Sequence, residues 1–159
     1  MADKAKPIMA VALSGLSAVL GWQGILALVW VAAMLADFIA GTAAAAKCGD
    51  WCSDVLKQGA WRKFGSIVVV AVCLIVDFVF SLIFAYLPLG ITWTSLLFPL
   101  VLSWYIVMEL GSILENAVKM GANVPGWLIK ILRISAQALE AEGDRLEEQA
   151  ETVIDPKEE

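Results

Sequence analysis

The sequence has no histidine and little charge. Of its 159 residues, 17% are charged and 60% are hydrophobic, against roughly 25% and 45–50% in an ordinary soluble domain. The missing histidines exclude the common Ser-His and Cys-His catalytic arrangements and most imidazole metal sites. The low charge excludes a disordered chain, and the apolar excess excludes a water-soluble enzyme. A net charge of −5 argues against nucleic-acid binding, which needs clustered Lys and Arg. Cysteine is scarce too. Cys48 and Cys52 are four apart and Cys73 stands alone, which without histidine or a further pair is no zinc pattern and reads as inert thiols. Catalytic, cofactor-binding and metal-binding residues are therefore expected to be none, and the composition is that of a small integral membrane protein.

The charge that exists is unevenly placed. From Glu140 onward there are nine acidic and two basic residues, which leaves the preceding body at +2. Such a run reads as a solvated, partly helical extension.

A spanning helix needs about 20 mostly apolar residues. From Pro7 to Ala46 the only charge is Asp37, and this stretch is too long for one straight crossing. Gly21-Trp22-Gln23-Gly24 is the natural break, because glycine weakens a helix and Trp and Gln favour the interface. The expected organisation is an N-terminal hydrophobic helix (1–23), a span (24–46), a polar loop (47–63), a second span (64–86), a turn around Pro88 and Gly90, a third span (92–114) and an amphipathic, acidic tail (115–159). Residues 8–20 are short for a crossing, so the fold is all-α with three spans, or four if this segment also crosses. No cleavable signal peptide is expected and no internal repeat is visible. Spans two and three, joined by a short turn, should form an antiparallel hairpin.

Orientation follows from Lys and Arg. Lys47, Lys57, Arg62 and Lys63 lie in the first loop, none lies near Pro88, and Lys119, Lys130 and Arg133 follow the third span. That places the 47–63 loop and the C-terminus in the cytoplasm. Trp22, Tyr86 and Trp93 then fall at the outer interface, and Trp51, Trp61 and Trp127 at the inner one, as an aromatic belt should.

Each span carries an acid where charge is costly: Asp37, Asp77 and Glu109, with Glu115 at the edge of the third. No basic residue lies inside an expected span to pair with them. They are therefore protonated, bonded to neighbouring helices or facing water. Ala33, Asp37, Ala40, Gly41 and Ala44 share one helical face, and small residues at that spacing let another helix approach. Glu109, Ser112 and Asn116 share a face of the third helix, and Glu115 and Lys119 are spaced to pair. The candidate pore and oligomerisation residues are thus Asp37, Gly41, Asp77, Glu109, Ser112, Glu115 and Asn116. Either the carboxylates line or gate an opening between protomers, or they are helix–helix glue. Both readings predict homo-oligomers in the bilayer. Arg62-Lys63 is expected to anchor the second span at the headgroups. Leu128, Ile131, Leu132, Ser135, Leu139 and Leu146 give the tail a partial apolar stripe, whose first half could lie on the membrane.

Several of these segments resemble one phage holin family, the toxin-secretion/phage-lysis group of Gram-positive phage holins and clostridial toxin-release proteins. Ala36-Asp37-Phe38-Ile39-Ala40-Gly41 is similar to its Asp-aromatic-Ile-x-Gly motif. Gly59-Ala60-Trp61-Arg62-Lys63 is similar to its Gly-x-x-x-Lys motif, and Asp77 falls where its second span carries an acid. Glu109-Leu110-Gly111-Ser112-Ile113-Leu114-Glu115-Asn116, followed by Gly121 and Pro125, is the most specific match. Met108 stands where the family often has Asn, and the acidic tail is atypical. The resemblance covers residues 24–132. It implies a holin of the bacterial cytoplasmic membrane that oligomerises at a set time. Its lesions release an endolysin, with which direct contact is not expected, or a toxin. The alternative is a small ion- or proton-conducting channel or transporter using the intramembrane carboxylates; a membrane scaffold is a third reading. A transporter would normally show paired repeats.

Overall fold

In a computed structural model the chain is described over residues 2–49, 53–87 and 94–154, with side chains described over 21–49, 57–87 and 94–150. Trp51, Cys52, the turn at Pro88 and Gly90, and Trp93 lie outside the described residues. Those described form four helices and no strand: α1 (Ala2–Cys48), α2 (Ser53–Tyr86), α3 (Leu97–Lys119) and α4 (Gly126–Ile154).

α1 is two helices in series. Gly21 interrupts it at φ 68° and ψ 176°, in a region that L-residues with a Cβ rarely enter. Three segments are long and apolar enough to cross a membrane: Gly21–Cys48, Lys57–Tyr86 and Leu97–Lys119. At 1.5 Å per residue even the shortest runs about 35 Å, beyond the ~30 Å hydrocarbon core. Two bounds differ from the sequence expectation. Much of the expected 47–63 loop is helical, because no proline interrupts it and α2 begins at Ser53. The third span was expected from residue 92, yet residues 94–96 are not helical and α3 starts at Leu97. Pro99 therefore sits in the first turn, where its missing N–H is not needed.

α3 is the central helix. It packs most extensively on α1 and also contacts α4 and α2, whereas α1 and α2 barely touch. The core at one end is Trp30, Met34, Val70, Phe98, Leu102 and Ile106, with Tyr105 packed against it. Trp30 and Tyr105 stack tilted, with centroids 6.1 Å apart. Outward-facing residues are equally apolar: Phe64, Ile67, Val68, Val72, Ile75 and Phe78 of α2 are all exposed. This pattern suits a bilayer, where lipid rather than water covers the outside and apolar burial no longer separates inside from outside.

The α3–α4 connection is written in the sequence. Gly121 adopts φ 91°. Its N–H donates to the Val118 carbonyl at 2.8 Å, and the Ala122 N–H donates to that of Ala117 at 2.9 Å. This pair of bonds is the Schellman termination, which calls for glycine at the left-handed position. The Lys47 ammonium donates to the Met120 carbonyl, tying the end of α1 to the end of α3. Pro125 follows, and α4 turns back along α3.

Candidate functional site

At the end of the bundle that carries Lys47 and Lys119, the spans part to leave an open cleft of about 1000 Å3. Six of the seven candidate residues line it: Asp37 and Gly41 from α1, and Glu109, Ser112, Glu115 and Asn116 from α3. The helical period brings them together. Gly41 is one turn beyond Asp37, while Glu109, Ser112 and Asn116 lie at steps of three and four on one face.

α1 meets α3 along a face that carries small residues. Ala33 and Ala44 are buried, and a Cβ on Gly41 would lie 3.4 Å from Asn116 Nδ2. That amide in turn donates to Asp37 Oδ1 at 3.2 Å. Alanine at Gly41 fits at van der Waals contact, but a larger side chain pushes Asn116 off Asp37. The expected outcome is that Gly41→Ala leaves stability within about 1 kcal/mol of the parent, whereas Gly41→Leu costs about 1–3 kcal/mol through overpacking. Thermal unfolding in detergent checks the difference.

The centre of the cleft corrects an expectation about charge. Lys63 does not point to the headgroups. Its ammonium donates to Asp37 Oδ2 at 2.9 Å and to Glu109 Oε2 at 2.5 Å, with side-chain exposures of only 18%, 15% and 12% for Lys63, Asp37 and Glu109. One ammonium from α2 thus holds carboxylates from α1 and α3. The periodicity of the apolar run could not show this, because Lys63 sits at the edge of its span and a long side chain there can extend either way. Arg62, its neighbour, is exposed. Ser66, one turn on, donates to the Lys63 carbonyl at 2.8 Å. The trio carries a net −1, with Asn116 as an additional neutral donor. Glu115 and Lys119 both line the cleft, but among the described residues they form no ion pair with each other.

Asp77 is elsewhere, and its geometry assigns it a different task. It is 3% exposed. Its carboxylate accepts the Ser95 hydroxyl at 2.9 Å and the Phe98 N–H at 2.8 Å, with longer contacts from the N–H groups of Leu97 (3.3 Å) and Leu96 (3.4 Å). α3 has no side-chain cap of its own, since its N-cap residue is Leu96. An acid from the neighbouring helix fills that role, placing a negative charge at the positive end of the α3 dipole. The hairpin of spans two and three is fastened by this contact.

A second feature not foreseen from sequence is the course of α4. Trp104 Nε1 donates to Glu140 Oε1 at 3.2 Å, so α4 lies beside α3 over much of its length and its apolar stripe packs on protein. Leu128, Leu132, Ser135, Leu139, Glu142 and Leu146 are half-buried, whereas Ile131 is exposed. Their 4-3-4-3-4 spacing is the seam of a helix pair, a sharper pattern than a stripe lying on a membrane.

These features define a class: a small all-helical membrane protein with three apolar spans, a polar cleft at one end and a charged helix folded alongside. A family model described as the bacteriophage holin family matches residues 14–136, and the chain belongs to that family. It is accordingly a non-enzymatic membrane protein. It is also 34% identical, over 125 residues covering 79% of this chain and 88% of the relative, to an uncharacterized protein of Halalkalibacterium halodurans. No solved structure matches it.

Proposed function

We propose that the protein is a holin that oligomerises in the bacterial cytoplasmic membrane and opens lesions through which an endolysin, or a toxin, leaves the cytoplasm. Endolysin is a partner in function and not in contact. The observation that carries this reading beyond family membership is the cleft: within an apolar bundle, carboxylates from two spans converge on one ammonium from the third, and an amide donates to one of those carboxylates. In a single protomer these groups satisfy one another, so the chain can accumulate without opening the membrane. Several such clefts brought together supply the polar surface that a water-filled lesion requires and that lipid cannot provide. The positive residues at the cleft end, Lys47, Lys63 and Lys119 among them, support a cytoplasmic position for that end, where the C-terminal segment begins.

A narrow ion- or proton-conducting channel is the alternative. It draws less support, because Asp77 is occupied by the backbone donors of α3 and is not among the cleft-lining residues.

The test is inducible expression in bacteria with and without a cytoplasmic endolysin. Abrupt, delayed loss of viability followed by endolysin-dependent lysis is expected. Unchanged viability and membrane potential at high expression would sink the reading. Asp37→Leu, which removes one of the two acceptors of Lys63 and the acceptor of Asn116, is expected to shift the time of lysis and the pattern of cross-linked oligomers; parental timing and cross-linking would remove Asp37 from the machinery.

A further inference from the structure

α4 poses a problem of solvent. Trp104 lies fifteen residues from the Lys119 end of α3, and Glu140 lies fourteen residues into α4. Both intervals are about 21–23 Å of helix. The Trp104–Glu140 bond therefore sets the two helices antiparallel and in step, and it carries Glu140 deep alongside a spanning helix. The outer face of α4 is exposed at Lys130, Arg133, Asp144, Glu147 and Glu148. Asp144, Glu147 and Glu148 stand there with one basic residue among them, Arg145. Hydrocarbon cannot solvate that face. The inner face meanwhile has the 3.5-residue seam of a helix built to stay on its neighbour.

We infer that α4 remains on α3 in the membrane and turns its acidic face to water, forming part of the wall of an aqueous passage shared with other copies of this chain. The inference rests on the lesion-forming reading and deepens it by assigning the lining. The cleft and α4 then divide the work: the cleft faces the cytoplasmic end, while α4 carries negative charge toward the opposite side. A passage so lined favours cations over anions.

The test uses the full chain in liposomes, with its three native cysteines replaced by alanine. Spin labels are placed on Trp104→Cys with Glu140→Cys and, as a milder pair at the same register, on Gly111→Cys with Arg133→Cys. Helices packed 8–10 Å apart should hold both pairs within about 20 Å. A single label on Asp144→Cys should collide with a water-soluble nickel chelate and little with oxygen. In planar bilayers under a KCl gradient, the chain should show a cation-selective reversal potential, and D144N/E147Q/E148Q should lose that selectivity while still conducting. Long distances in both pairs mean that α4 has left α3 and overturn the inference. So does a label at 144 reached by oxygen and not by nickel, or a selectivity unchanged by neutralisation. A parent chain that never conducts overturns the lesion reading instead, and the spin-label distances still decide where α4 lies.

Discussion

Lys63→Met is expected to destabilise the protein by about 3–5 kcal/mol, the usual cost of removing one member of a buried ion pair. The geometry explains why the value belongs at that end. One ammonium serves two carboxylates, at 2.9 and 2.5 Å, and methionine would leave both without a counter-charge at side-chain exposures of only 15% and 12%, where water at the cleft solvates them in part. The same arithmetic makes the acids unequal. Glu109→Gln leaves a neutral one-to-one pair of Lys63 and Asp37 and should change stability by no more than about 1 kcal/mol, in keeping with the small net value of a buried pair beyond neutrality. Asp37→Asn should cost more, because Asp37 also accepts from Asn116 at 3.2 Å. The triple variant Lys63→Met/Asp37→Asn/Glu109→Gln should recover most of the loss, since it removes the charges together. Thermal or denaturant unfolding in detergent, followed by tryptophan fluorescence, measures the series. Equal losses for Glu109→Gln and Lys63→Met would show that the ammonium is not shared as the distances indicate.

How far the sequence carried these conclusions depends on which force wrote each feature. Apolar length marks the spans, because the bilayer imposes a minimum run whatever the tertiary packing. Helical period places Asp37 with Gly41 and Glu109 with Ser112 and Asn116, since residues three and four apart must share a face. Two partnerships were beyond this kind of reading. Lys63 reaches the two acids because of where a flexible stem turns, while its neighbour Arg62, also at the cleft, stays exposed. Asp77 meets backbone donors about twenty positions later in the chain, a match between a side chain and a helix end that no periodicity encodes. A signal for it did exist: α3 begins after Ser95-Leu96 with no acidic residue in its first turn, and a buried helix start without a local cap needs an acceptor from elsewhere. The seam of α4 was legible in part. Leu128, Leu132, Leu139 and Leu146 stood out as an apolar stripe, but the membrane surface offers such a stripe a home as readily as a neighbouring helix does, and only the Trp104–Glu140 contact distinguishes them.

Asp77→Leu should be the other strongly destabilising change, by about 2–4 kcal/mol. A capping acid ordinarily contributes about 0.5–2 kcal/mol, measured where water can take its place. Here the N–H of Phe98 is buried with its residue, and a buried donor left unpaired costs about 1–3 kcal/mol. Leucine resembles aspartate in breadth but accepts nothing, so the change removes the cap without opening a void. Asp77→Asn keeps a carbonyl oxygen aimed at α3 and loses only the charge at the helix dipole, so it should cost about 1 kcal/mol or less. Ser95→Ala removes a single hydroxyl donor and should cost about 1 kcal/mol. If Ser95 acts through Asp77, the two changes will not add: Asp77→Leu should make Ser95→Ala nearly silent. Unfolding in detergent gives the stabilities, and hydrogen exchange at the amides of Leu97 and Phe98 gives the local readout. Those amides should exchange faster in Asp77→Leu while the amides at the Lys119 end of α3 stay protected. Unchanged exchange at Leu97 and Phe98 would mean that α3 begins without help from α2, and the cap would lose its role in joining the two spans.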